Sequence, residues 1–123
     1  MIRTLTIPGP LPGLNEIVDA ARGNKFAAAH QKQTYTDSVA WSARAAKIPP
    51  MKKIKVTIRW FEPNKRRDWD NIEAGQKFIF DGLVQAGVLE NDGWKQRGGE
   101  VVHLHDVSKA NPRVEVEIEE LEV

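Results

Sequence analysis

The chain has 123 residues, a formal net charge of +1 and no cysteine. That length bounds one domain, spanning 1–123, with room for a core but not for a separate substrate domain; the missing cysteines exclude a disulfide framework, a zinc-thiolate centre and a thiol nucleophile. The opening MIRTLTIPGPLP lacks the apolar stretch of a signal peptide, and no run approaches the roughly 20 apolar residues that cross a bilayer, so a cytoplasmic protein with no membrane partner is expected.

Ile2 to Ile7 reads as a short strand, stopped by the breaker-rich Pro8-Gly9-Pro10-Leu11-Pro12-Gly13. From there to about Gln33 the sequence is ambiguous. Beyond Thr36, placed to cap a helix, Val39, Ala43 and Ala46 recur at helical spacing; Trp41, Ala45 and Ile48 form a second stripe, and Pro49-Pro50 ends the pattern. Ile54, Val56, Ile58 and Trp60 alternate with Lys55, Thr57 and Arg59, the pattern of a half-buried strand with a basic outer face. Trp41 and Trp60 fall on apolar faces and are expected in the core.

A second helix is expected from about Asp70, burying Ile72, Ile79 and Leu83 and closing at Gly87. Val101 to Val107 and Arg113 to Leu121 read as two further strands, the last with Glu115, Glu117 and Glu119 facing out. The expected order is β-α-β-α-β-β: an α/β fold with a mixed sheet packed by helices.

Charge is unevenly spread. Residues 111–123 hold one Arg and five Glu, and between Arg44 and Arg67 nine basic residues accompany a single acid, Glu62. Such a patch is often a solvated face. Here it runs through Lys65-Arg66-Arg67 directly into Asp68-Trp69-Asp70. In an extended segment, side chains two apart share a side, so Asp68 and Asp70 could converge on one hard cation, with the basic run holding phosphate oxygens beside it. Either acid could instead cap the second helix.

Lys77 shares the helix face of Asp70 two turns on, and equally suits an ion pair with Glu73 at i,i+4. Asp92, in Asn91-Asp92-Gly93, carries a turn signature. His103 and His105 share a strand face, as a metal pair or as ordinary surface or core histidines. Trp69 and Trp94 flank the acids, to stack on bases or to cover the site. A calcium loop starting at Asp68 fails, because Ile72 and Glu73 stand where an Asp or Asn and a Gly are required.

Arg66-Arg67-Asp68-Trp69-Asp70-Asn71-Ile72, then Lys77 to Leu83, then Gly87 to Asp92, resembles the signature of the RusA family of Holliday junction resolvases. The early Ile7-Pro8-Gly9-Pro10-Leu11-Pro12-Gly13-Leu14-Asn15 and the basic strand are similar to that family too. The resemblance implies a homodimer that cleaves branched DNA, the four-way junction of recombination and repair, with Mg²⁺. It implies Asp68, Asp70 and Asp92 as metal-binding acids and Lys77 as the catalytic lysine. Lys65, Arg66 and Arg67, with Lys55 and Arg59 on the preceding strand, are then expected to hold DNA phosphates.

One departure stands out. Many members place the lysine four residues after the second acid; here the interval is seven and Ala74 takes the shorter spacing. Retaining Lys77 requires a different helix start or path. Asp92 raises a similar demand: an unbroken helix from Asp70 to Ala86 would be roughly 25 Å long, beyond the roughly 20 Å that residues 87–92 can span. Asp92 would then reach the other acids only by a fold-back of the chain or from a second subunit. Two other classes stay open: a branched-DNA-binding protein without catalysis, and a metal-dependent enzyme for a small phosphorylated substrate.

Overall fold

The alternating stretches become the strands of one sheet in the computed structural model, which describes residues 1–122. They are β1 (Ile2–Pro8), β2 (Ile54–Glu62), β3 (Val102–Val107) and β4 (Arg113–Glu120), ordered β1-β4-β2-β3 across the sheet. β4 is antiparallel to both its neighbours, whereas β3 runs parallel to β2. A parallel pair cannot be closed by a tight turn. The long connection from residue 63 to 101 therefore has to cross over, and that crossover carries the acidic signature.

Register aligns the apolar positions on one face. Leu5 and Ile7 lie opposite Val116 and Val114, which lie opposite Ile58 and Trp60 on the other side of β4. All six are buried, and Val39, Ala43, Phe78, Ile79 and Leu83 from the helices join them in one core. On the open face Lys55 pairs in register with Glu119 and Arg59 with Glu115. The basic residues of β2 thus stand beside a row of glutamates.

The helices are α1 (Leu14–Gly23), α2 (Lys25–Ala45), α3 (Trp69–Glu73) and α4 (Gln76–Gln85). The α/β class and the four strands match the sequence reading, but the ambiguous stretch before Thr36 holds α1 and the first half of α2, and the second expected helix is two, α3 and α4. α2 starts eleven residues before Thr36: the Asn24 side chain accepts from the Ala27 backbone N–H at 2.7 Å and caps the helix there, leaving Thr36 buried in its interior. Of the two stripes, Val39 and Ala43 enter the core while Trp41 is 69% exposed, so Trp41 is not a core residue. Trp41 projects outward because Val39, Ala40 and Ala43 are the residues that meet the rest of the fold, where α2 lies so close to α4 that a side chain at Gly82 would collide with Val39.

α4 ends as its sequence predicts. Gly87 adopts φ +80, the Val88 N–H bonds to the Leu83 carbonyl at 2.9 Å, and the Gly87 N–H bonds to that of Val84 at 3.0 Å. This paired cap turns the chain sharply and buries Val88 and Leu89. No helix among the described residues is long and apolar enough to cross a membrane.

Candidate active site

The amino-terminal Pro/Gly loop and the acidic signature pack against each other. The Asn15 N–H bonds to the Asn71 side-chain oxygen at 3.1 Å, and Arg67 Nη1 bonds to the Leu11 carbonyl at 3.1 Å. At Gly13 a Cβ would fall 2.6 Å from Asn71 oxygens and 2.8 Å from Arg67, so only glycine permits this approach. The loop fixes where α3 begins.

Arg67 belongs to that scaffold. Its Nε and Nη2 meet both carboxylate oxygens of Glu62 at 2.8 Å, and its Nη1 meets Glu16 at 2.8 Å. Glu62 is nearly fully buried and most of the Arg67 side chain is covered, so these donors are turned inward rather than toward a phosphate. Lys65 and Arg66, on the same loop, are exposed. Lys55 and Arg59 lie on the opposite face of the sheet.

Asp68 occupies the N-cap of α3 in an extended conformation, while Asp70 already sits in its first turn. Because the helix starts between them, they do not alternate as strand residues would. Asp68 forms no side-chain cap, and neither acid makes an ion pair among the described residues. Both carboxylates are exposed, and Asp68 lines a cleft with Lys65, Trp69, His105 and Asp106. Trp69 stacks on His105 with ring centroids 4.4 Å apart and planes 2° from parallel, its outer face open to solvent.

The helix expected to run straight from Asp70 to Ala86 breaks at Ala74-Gly75. The break lies between Asp70 and Lys77, so the helix path changes between them. Lys77 lies exposed in the first turn of α4 and makes no ion pair among the described residues; Glu73 contacts His105 instead. His105 Nε2 lies 2.9 Å from Glu73 Oε2, a close contact whose angle falls short of a hydrogen bond.

Beyond Gly87 the chain folds back along α4. The Leu89 N–H reaches the Leu83 carbonyl at 3.4 Å and the Arg97 guanidinium lies 3.8 Å from the centre of the Phe80 ring. This return brings Asp92 into a second cleft with Glu73, Gln76, Trp94, Arg97 and His103. Asp92 thus comes back to the α3–α4 break within one chain. It does not line the cleft of Asp68, and its carboxylate is held by Arg97.

Three features of this region escaped the sequence reading. Glu73 stands three residues after Asp70, a spacing that shares a helix face and could have drawn attention to it. Arg97 lies in irregular chain, where no periodicity marks it. The pairing of Trp60 with His103 had no signal at all, since it depends on the parallel register of β2 and β3.

The family described as endodeoxyribonuclease RusA matches residues 8–119. The chain belongs to the RusA family. The match begins at the Pro/Gly loop, takes in the acidic signature and the returning Asp92, and ends within β4. No curated protein matches the chain. The family's description is that of a DNA-cleaving nuclease, and the exposed aspartates at the start of the crossover lie within the matched residues.

Donor chemistry in this region suits a hard divalent cation, because carboxylate oxygens dominate and no thiolate is present. Convergence is incomplete: among the described residues no three His, Asp or Glu side chains are grouped to hold one ion.

Proposed function

We propose that the protein is a Mg²⁺-dependent, structure-selective endodeoxyribonuclease that resolves four-way DNA junctions by paired nicks, in recombination and repair. The observation that carries this reading is the RusA match across the segment where Asp68 and Asp70 start α3 and Asp92 returns to its end. Asp68, Asp70 and Asp92 would hold the metal. Once bound, Mg²⁺ would supply an activated water and polarise the scissile phosphate. Lys77, exposed in the first turn of α4 just past the break, would neutralise charge that develops on the phosphate.

Lys65 and Arg66 would grip flanking phosphates, which positions DNA without reading its sequence. Arg67 would hold the loop that carries them. DNA lying along the clefts would not meet Lys55 and Arg59, whose neighbours on the open face are glutamates. A four-way junction has approximate two-fold symmetry, so paired nicks call for two sites related by the same operator and hence a homodimer. The exposed Trp41 stripe of α2 offers apolar surface for such a contact.

Incubation with a synthetic four-way junction, with and without Mg²⁺, tests the reading on a denaturing gel. Symmetric nicks only with metal are expected, and Asp70→Asn should nearly abolish them while leaving junction affinity intact. Binding without any nicking in Mg²⁺ or Mn²⁺ would refute the enzymatic reading.

A further inference from the structure

His103 is held by a bond that fixes where its proton lies. The Trp60 indole N–H donates to His103 Nδ1 at 2.9 Å, and Trp60 itself is 1% exposed, so the partner cannot turn away. The two rings lie 14° from parallel with centroids 6.0 Å apart. An indole N–H can only donate. Nδ1 must therefore present its lone pair, and the neutral ring carries its proton on Nε2.

Nε2 has no hydrogen-bond partner among the described residues, and the ring lines the cleft that holds Asp92, Glu73 and Gln76. With Nδ1 occupied by Trp60 and Nε2 protonated, His103 has no lone pair left for a metal, so the alternative of a His103–His105 metal pair falls away. Shuttling a proton is also disfavoured: protonation at Nδ1 would set N–H against N–H, and loss of the Nε2 proton would leave an imidazolate.

We infer that His103 is a neutral, preset hydrogen-bond donor that holds a non-bridging phosphate oxygen of the DNA strand beside Asp92. Three carboxylates, Glu73, Asp92 and Glu100, line this cleft, and its guanidinium is committed to Asp92. A phosphate oxygen entering there needs a donor. A neutral N–H supplies one without adding a cation that would compete with a metal for the aspartates. This role rests on the nuclease reading above, whereas the tautomer itself does not.

The test joins a spectroscopic and a kinetic readout. In protein labelled with ¹⁵N-histidine, His103 should show a protonated, pyrrole-like Nε2 and an unprotonated, pyridine-like Nδ1 near neutral pH, and Trp60→Phe should relax that distribution. On junction DNA, His103→Leu should lower the single-turnover nicking rate by roughly 10-fold to 100-fold with a much smaller loss of junction affinity, and His103→Gln, which restores an N–H near the Nε2 position, should recover most of the rate. A proton found on Nδ1 would overturn the inference. So would a Leu variant that is folded, binds and nicks at the wild-type rate. A wild-type protein that binds junctions but never nicks them would refute the function and this role together, a result distinct from an active enzyme indifferent to His103.

Discussion

Arg97 grips both carboxylate oxygens of Asp92, Nε to Oδ1 at 2.8 Å and Nη2 to Oδ2 at 3.1 Å. The acid proposed above as a metal ligand is thus held by a cation from its own loop. The side chains are 38% and 26% exposed, which places the pair among those worth about 1 kcal/mol or less. A divalent ion can compete with a contact that weak. Arg97→Gln should therefore tighten Mg²⁺ or Mn²⁺ binding by up to about five-fold, measured by calorimetry on the free protein. An unchanged dissociation constant would mean that Arg97 and the metal do not share Asp92.

The basic run should divide by role. Arg67→Met leaves the Glu62 carboxylate buried without its partner, a change that costs on the order of 3–5 kcal/mol, and urea denaturation should register it. Replacing Lys65 and Arg66 together by Ala should leave the urea midpoint in place. It should instead weaken junction binding and reduce the salt slope by about two. Equal stability loss in both variants would erase the distinction.

The sheet was legible because β2 and β4 alternate strictly, and the cap at Gly87 because its chemistry is local. Strand pairing was not, since parallel and antiparallel neighbours of β2 have the same alternation. The early start of α2 escaped because Lys25 to Tyr35 is largely solvent-exposed and carries no core stripe. At the site, the signature acids were visible as a cluster in sequence. That Asp68 and Asp92 line separate clefts, with Asp70 in neither, depends on a helix that starts between Asp68 and Asp70 and breaks at Gly75, and no propensity fixed either point.

Trp94 is 99% exposed on the loop two residues beyond Asp92. An indole open on both faces beside the proposed cleavage site is suited to stack on an unpaired base, a contact worth about 1–3 kcal/mol. Trp94→Ala should weaken junction binding by roughly five-fold or more, with Trp94→Phe retaining most of the affinity. The tryptophan emission quenched by junction DNA in the wild type should be diminished in Trp94→Phe. Identical quenching in both would place the stacking elsewhere, at Trp69 or Trp41.

Acidification should weaken the fold through His103. Burial lowers its pKa below the ordinary 6.5, Glu73 opposes the shift and His105 adds to it. Protonation would also place a second N–H against the Trp60 indole. Between the folded value and 6.5 the unfolded chain binds more protons than the folded one, so stability rises with pH across that window. The contribution is complete above about 6.5 and is lost as pH falls through the folded value. Thermal midpoints measured from pH 7.5 down to about pH 5 should fall in the wild type, and His103→Gln should flatten that descent, because glutamine binds no proton in the range. Parallel curves for the two proteins would show that His103 titrates alike in the folded and unfolded chain, contrary to its burial against Trp60.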